Sequence, residues 1–576
     1  MAGKRLLKIL SGVTLTWLMI LVYMGMHLYQ LVEESQKTLM ALEETKVEAE
    51  ILRKENMVLQ RETNSRKVRA IHDDIEMAFK HKDNNNERSD EHKWIDTLVN
   101  KDIVGSFDTN RAPSIKYEIS RRRIDNYVRE MNYFLTDKFE KLKKKAGDVF
   151  MQYEFEKFKT DVEQLSLHTI HELEILRDLD GMGTYRKTMH RKLSNEVRQR
   201  LNKLQNPDDC KKARRLVCTL NKACGYGCQV HHIIYCMIMA YSSNRTMVIN
   251  SRGWRYSKKG WEGTFLPVSE SCRNVGFGRV YWGMAYNTKA LIAHLPVIDT
   301  IYPKPDQLPQ AVPRDLVDKI IEFHEVPFVW WVGQICAFLF RYQPSMKQRI
   351  DEKKRRIGFK SPIVGIHVRR TDKVNVEAAH HDLGEYVKWA RRYFEKLELT
   401  RKLDARRIYM ATDDRGLLTE AKEKYPDITF VSDNDASKLA DLDHRHSEQS
   451  LYGIISDIEL LSETDYVVCT FSSQVCRLAY EIMNGKHVDA SRRFQSLDDV
   501  YYFGGQNEHK VRVKIAHKAR DKSELDLTAD EELAIAGNHW DGYSKAFSHT
   551  RGREGTFPSY KVEEVVNLAD FPVYNL

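Results

Sequence analysis

Between residues 360 and 470 short apolar runs alternate with stretches of helical spacing, and this alternation restricts the fold more than any other feature of the chain. Runs at 363–366, 407–411, 428–432 and 466–470 read as strands; the stretches at 383–397, 417–424 and around 454–461 read as helices. Strands that return through helices pair in parallel, which predicts a doubly wound α/β sheet. The first strand breaks off into His367, Arg369, Arg370, Asp372 and Lys373. Open α/β sheets bind ligands outside the carboxyl ends of their strands. Adjacent guanidinium groups suit phosphate oxygens, which they hold by forked, charge-assisted bonds. Alternation along a strand puts His367 on the side of Arg369 and turns Arg370 to the opposite face, toward the loop or a carboxylate. Surface salt bridges would account for the same charges.

Upstream, further strands are expected at 246–250 and 295–301, and helices at 313–323 and 334–342. The chain has nine cysteines, six of them at 210, 218, 224, 228, 236 and 272, with Cys469 and Cys476 flanking a Phe-Ser-Ser-Gln loop and Cys336 alone in an apolar run. An even cluster behind a lumen-directing anchor reads as disulfides, although spacing leaves their connectivity open. A Cys224–Cys228 bridge would close a tight, glycine-rich hairpin of backbone N–H groups able to approach a phosphate. After residue 503 the pattern turns to short strands at 511–516, 524–527, 532–536, 541–545 and 555–560, which fit an SH3-like barrel. His517, Lys518 and Ala519 stand where an SH3 groove keeps an aromatic pair, which argues against proline-rich ligands.

The N-terminal third is of another kind. Residues 9–32 carry no Asp, Glu, Lys or Arg, and Lys4, Arg5 and Lys8 precede them. A bilayer needs about 20 apolar residues, and basic flanks stay in the cytosol. The expectation is an uncleaved type II anchor at 9–30 behind a tail at 1–8. Leu28, Leu31, Leu42, Leu52 and Leu59 then occupy half the positions of a weak heptad array, compatible with a stem coiled coil or with a solvated single helix. A linker is expected at 80–91, and helices again at 121–204 with Tyr127, Met131, Phe134, Phe139 and Leu142 on one apolar stripe. Net charge of +9 is diffuse and argues for an anionic substrate rather than nucleic acid.

The string from Gly365 to Lys373 resembles the signature of the α1,6-fucosyltransferases that act on the core of animal N-glycans. So do Cys224-Gly225-Tyr226-Gly227-Cys228, the loop flanked by Cys469 and Cys476, and Gly537-Asn538-His539-Trp540-Asp541-Gly542-Tyr543. The resemblance runs from the anchor to about residue 563. It implies a helical stem at 31–205 able to carry a homodimer, a GT-B-like catalytic region with a disulfide-rich half at 206–360 and a Rossmann-type GDP-fucose half at 361–497, and an SH3-like domain at 503–563. It implies a Golgi membrane protein that passes L-fucose from GDP-β-L-fucose to the 6-hydroxyl of the innermost N-acetylglucosamine of N-glycoproteins. The disulfides it implies are Cys210–Cys272, Cys218–Cys236, Cys224–Cys228 and Cys469–Cys476, with Cys336 a buried thiol.

For the donor, the same resemblance implies Arg369 as diphosphate clamp, Asp457 as the carboxylate facing guanine, and His367, Arg370, Tyr226, Gly227, Tyr256, Asp413, Asp414, Ser473 and Gln474 around them. Glu377 and Lys373 correspond to a catalytic base and its partner, and Lys222, Asp299 and His539 join them on the acceptor. Direct displacement then inverts the anomeric centre. No cofactor is expected: Asp413-Asp414 lacks the Asp-x-Asp arrangement of metal-dependent transferases, and cationic side chains already cover the diphosphate. A lectin would have no use for the 367–373 array, and a sulfotransferase would want a P-loop-like site that is missing from the sequence.

Overall fold

The computed structural model describes residues 114–276, 280–281, 290–296, 304–370, 379–414, 416–433 and 447–574. The expected anchor, heptad array and linker lie outside the described residues, as do Asp299, Asp372, Lys373 and Glu377. Among the described residues no helix is long and apolar enough to cross a membrane.

Three helices lead: α1 (Ile115–Lys145), α2 (Val149–Leu179) and α3 (Gly183–Gln205). Phe139 of α1 stacks on Phe158 of α2, with Lys143 and Lys159 paired to Glu156 beside them. The expected apolar stripe on α1 does not face the core. Tyr127, Met131 and Leu142 are exposed, whereas the buried residues of α1 are Glu118, Arg122, Asp125, Glu130 and Asn132. This helix docks through polar contacts. Glu118 pairs with Arg186 of α3, and Arg122 donates to the Ile321 carbonyl at 2.8 Å.

The chain then alternates: β1 (Arg215–Thr219), α4 (Tyr226–Ser242), β2 (Thr246–Asn250), β3 (Val280–Tyr281) and β4 (Ile292–His294). These strands form a parallel sheet in the order β2-β1-β4-β3. The first half therefore has a more regular parallel sheet than its cysteines suggested. The strand expected at 295–301 lies mostly outside the described residues; β4 precedes it, and the Leu295 N–H still donates to the Val217 carbonyl of β1 at 3.0 Å. After β5 (Val312–Pro313) and α5 (Arg314–Ile321) comes α6 (Pro327–Leu339), seven residues earlier than expected. Pro327 supplies a ready start, and the helix is buried on nearly every side, so it shows no polar face to mark its period.

A helix not anticipated, α7 (Pro344–Ile357), leads into the second sheet. That sheet contains β6 (Ile363–Val368), β7 (Arg407–Thr412), β8 (Thr429–Val431), β9 (Tyr466–Cys469) and β10 (Phe494–Ser496). The helices between them are α8 (Leu383–Glu398), α9 (Leu417–Lys424), α10 (Glu448–Glu463) and α11 (Gln474–Lys486). The order is β10-β9-β6-β7-β8, parallel throughout, so β6 is central and buried along its whole length. Gly365 is required there, since a Cβ would lie 2.8 Å from Thr464 Oγ1 and 2.9 Å from Leu461. This close approach seats the end of α10 against β6.

Five antiparallel strands follow: β11 (Lys510–Val513), β12 (Glu532–Asn538), β13 (Tyr543–Ser548), β14 (Arg553–Pro558) and β15 (Val562–Glu564), before a last short strand, Leu568–Ala569, pairs in parallel with β5. Their order is β14-β13-β12-β11-β15, around a core of Val511, Val513, Leu525, Leu527, Leu533, Ala546 and Phe557. The strand expected at 524–527 is only a pair of isolated bridges, Glu524 to Thr556 and Leu527 to His517. Leu525 and Leu527 point into the core regardless, which is what their alternation recorded. The sheet packs on α1, where Tyr133 meets Trp540 and Phe134 meets Tyr543.

Candidate functional site

β6 ends at the carboxyl edge of its sheet, between β7 and β9. Register pairs His367 with Ala411 and Val368 with Thr412, and Ile366 with Val468 on the other side. The residues after each strand therefore share one rim: Arg369 and Arg370, Asp413 and Asp414, and the turn at 470–473. Arg369 Nε lies 3.9 Å from Asp413 Oδ2, and Asp413 Oδ1 accepts the Arg370 N–H at 2.9 Å. The Arg370 side chain takes the opposite face, as alternation required, and pairs with Glu420 at 3.0 Å and Asp414 at 3.4 Å. The Arg370 charge thus ties β6 to α9, while Arg369 lies beside Asp413 at the rim. His367 is buried, and its Nδ1 finds no hydrogen-bond partner among the described residues. Burial and then the Arg369 charge push its imidazole down to about 4, so it is neutral at physiological pH.

Two helix starts converge near this rim. The bridge Cys224–Cys228 does not close a hairpin: Gly225 caps α4, and Tyr226, Gly227 and Cys228 form its first turn. The backbone N–H groups foreseen for a phosphate are those of a helix N-terminus, which carries the positive end of the dipole. Ser473 likewise caps α11, within the Cys469–Cys476 bridge. The two starts touch, and a Cβ on Gly227 would lie 2.7 Å from the Gln474 Cβ. Deeper in, His231 of α4 lies 3.2 Å from Glu481 of α11, which also accepts the Tyr501 hydroxyl at 2.7 Å. All four disulfides implied by the resemblance are present, and Cys336 is a buried free thiol whose ionisation burial pushes far up.

Tyr226 and Tyr256 are both buried and meet edge to face at 6.0 Å, with Trp254 against Tyr256. Trp254 donates to Gln229 Oε1 at 2.7 Å while Gln229 Nε2 donates to the Lys222 carbonyl at 2.9 Å, so one side chain ties that tyrosine pair to the Lys222 loop. Asp457 sits on α10, half-buried rather than exposed, and takes two donors on Oδ1: Lys353 Nζ at 2.9 Å and the Tyr409 hydroxyl at 2.7 Å. Its charge and those of Arg369 and Asp413 all act on His367, which places these four in one electrostatic neighbourhood.

His539 is exposed on the turn after β12, its N–H donating to the Tyr543 carbonyl at 3.2 Å. It faces Asp499, a residue not singled out from the sequence, whose carboxyl burial pushes up while His539 opposes the shift. The neighbouring Asp498 was missed as well. It accepts the Phe471 N–H at 2.7 Å and the Ser472 N–H at 3.2 Å, and so shapes the turn that presents Ser473. Lys353 was missed because it lies in the run Asp351-Glu352-Lys353-Lys354-Arg355-Arg356, which reads as a solvated helix face. The available signal was spacing: Met346, Ile350 and Lys353 share one buried stripe. Among the described residues no group of three or more His, Cys, Asp or Glu is placed to hold a metal ion.

A family model described as alpha-(1,6)-fucosyltransferase N- and catalytic domains matches residues 1–502. An alpha-(1,6)-fucosyltransferase of Drosophila melanogaster is 45% identical over 470 residues, covering 80% of this chain and 75% of that protein. One of Caenorhabditis elegans is 37% identical over 453 residues, covering 78% of each. A crystal structure of NodZ alpha-1,6-fucosyltransferase soaked with GDP-fucose aligns with 47% of this chain and 93% of its own at 17% identity. Its TM-score of 0.30 is too low for anything to rest on it.

Proposed function

The chain belongs to the alpha-(1,6)-fucosyltransferase family, and from that premise we propose that it moves L-fucose from GDP-β-L-fucose to the 6-hydroxyl of the innermost, Asn-linked N-acetylglucosamine of N-glycans. The observation that carries the assignment of donor roles is the shared rim, where Arg369 at the end of β6 stands beside Asp413 and the turn leading into α11. A departing diphosphate needs its growing charge met by preset donors. Arg369 supplies a forked cation, and the starts of α4 and α11 supply backbone N–H groups. Asp457 receives the donor edge of guanine, N1–H and N2–H₂, at the far end. His367, neutral, contacts the nucleotide without adding charge.

Glu377 takes the proton from the acceptor hydroxyl, partnered by Lys373, and attack from the face opposite the diphosphate turns the β-linked donor into an α-linked product. Lys222 and Asp299 seat the glycan with His539, whose neighbour Asp499 offers a further acceptor for sugar hydroxyls. The C-terminal sheet is an SH3-like domain that completes this acceptor site. Its buried His517, paired to Glu524 at 2.9 Å, supports the reading that no peptide groove is present. We also propose a GT-B-like pairing of the two parallel sheets, a type II Golgi anchor at 9–30, a coiled-coil stem, and a homodimer through the helices. Exposed Tyr127, Met131, Phe150 and Leu165 on α1 and α2 support the last.

The test is turnover by the full chain in detergent, with GDP-sugars against defined N-glycans. GDP-fucose with a core-accessible glycan is expected to release GDP and give an α1,6 product. Turnover with another GDP-sugar instead, or without a glycan acceptor, would overturn the reading. Glu377→Gln keeps shape but removes the base, so turnover is expected to fall roughly 10²–10⁴-fold with GDP affinity little changed. Loss of GDP affinity in that variant would remove Glu377 from the role.

A further inference from the structure

α7 presents four basic residues between 353 and 356, and three of them reach the surface or its edge. Lys353 does not: its side chain is fully buried, on the same stripe as Met346 and Ile350. A buried ammonium is tolerated only with a carboxylate and hydrogen bonds to satisfy it. The carboxylates within reach are Asp457, 2.9 Å away, and Asp433, 3.8 Å away. Asp433 is held more closely by Arg356, at 2.8 Å, which leaves Lys353 principally to Asp457.

The contact is one-sided. Lys353 Nζ and the Tyr409 hydroxyl both donate to Asp457 Oδ1. Tyr409 is itself buried on β7, edge to face with Phe359 at 5.7 Å, so its hydroxyl is fixed. Asp457 keeps 17% of its side chain exposed where Lys353 keeps none. The lysine thus reaches the carboxylate from inside the fold, and the part-exposed carboxylate is near enough to His367 at the rim for its charge to act there.

We propose that Lys353 is the positioning residue for base recognition: with Tyr409 it pins Oδ1 of Asp457, leaves Oδ2 to the nucleotide, and thereby sets the preference for guanine. The inference rests on the reading of Asp457 as the carboxylate that faces the base. An ionised carboxylate only accepts hydrogen bonds. Guanine offers it N1–H and N2–H₂, hypoxanthine offers N1–H alone, and adenine offers an acceptor at N1. Discrimination of this kind is strong only when the protein group cannot turn to suit the wrong partner, because the penalty comes from leaving it unpaired. A carboxylate gripped on one oxygen by two buried donors cannot turn.

The experiment compares the full chain with Lys353→Met, which fills similar volume without charge, and with Asp457→Asn. GDP and IDP binding are measured by calorimetry, together with Tm and with KM and kcat for GDP-fucose. Lys353→Met is expected to weaken GDP by about tenfold or more and to pull the GDP-to-IDP affinity ratio toward one. KM is expected to rise more than kcat falls, a split that a merely structural role would not produce. Asp457→Asn is expected to do the same to a greater degree. If Asp457→Asn loses GDP preference while Lys353→Met keeps the wild-type affinity and ratio, the role of Lys353 is overturned and the base reading survives. If Asp457→Asn keeps both, the base reading itself falls and the proposal with it. Should Lys353→Met not fold, Lys353→Leu is judged by the same ratio, and a wild-type ratio there overturns the proposal.

Discussion

Two helix starts, each inside a disulfide, meet at Gly227 and Gln474, whereas on α10 a buried lysine and a buried tyrosine hold Asp457. The first region is proposed to bind a diphosphate, and charge recognition needs donors kept close together more than it needs one exact orientation. Short covalent loops provide that, indifferent to the dielectric around them. The second is proposed to read the hydrogen-bond pattern of a base, which depends on the angle of one carboxylate. Its grip is two buried hydrogen bonds, one of them charge-assisted, so it is directional, and it fails if either partner is lost. On the proposed reading, durable anchoring and directional recognition rest on different physics.

The largest effect that would break this division is expected at the phosphate end. Arg369→Ala should lose donor binding and turnover together, since its charge acts before and during departure of the diphosphate. A bidentate charge-assisted contact is worth about 1.5–3 kcal/mol in binding alone, or roughly 10–150-fold. The GDP-to-IDP ratio should stay as in the parent chain, because the base end is untouched. Calorimetry beside turnover checks both, and a collapsed ratio would show that the two ends are not separable.

Glu130 sharpens the comparison by showing a buried carboxyl without a dedicated lysine. It lies on α1 against Asn538 and Ser559 of the C-terminal sheet, with Asp541 and Arg492 near it, and burial pushes its carboxyl from 4.5 up to about 7. The folded state therefore keeps a proton that the unfolded chain has released between those values. Stability contributed by this group is present at acid pH, falls as pH rises from 4.5 to about 7, and is gone above that. Glu130→Gln should raise stability at pH 8, by at most about 3 kcal/mol, and change little at pH 5. Thermal unfolding at the two values checks it, and an equal Tm change at both would refute it.

Removing one staple should cost less. Cys224→Ser with Cys228→Ser leaves the helix start in place but loosens it, so GDP affinity should fall about tenfold, at the low end of one charge-assisted contact. The preference for GDP over IDP should persist. A variant with unchanged GDP affinity would show that the helix start needs no staple. The smallest expected effect is none: excess chelator should leave turnover intact, because Arg369 and the backbone N–H groups serve the diphosphate. Activity lost in chelator and restored by Mn²⁺ or Mg²⁺ would place a metal at that end instead.

Local geometry is legible along the chain. The bounds of α8 and α9 and of β2, β7 and β9 fall within one residue of expectation, because apolar period and strand length are properties of neighbours in the chain. The opposed faces of Arg369 and Arg370 follow from strand alternation alone. Only the tertiary structure decided which charges are buried. Lys353 and Asp457 are 104 residues apart, and Glu118 and Arg186 are 68 apart. In sequence each of them reads as a solvated helix residue. It also turned the 224–228 loop into a helix start, since Val230, Ile233 and Ile234 find the core packing that extends α4 back to Tyr226. The physical reason is the same in each case. An apolar side chain is placed by its own transfer from water, whereas a charge is placed by partners and by the dielectric around it, and those are assembled only when distant segments meet.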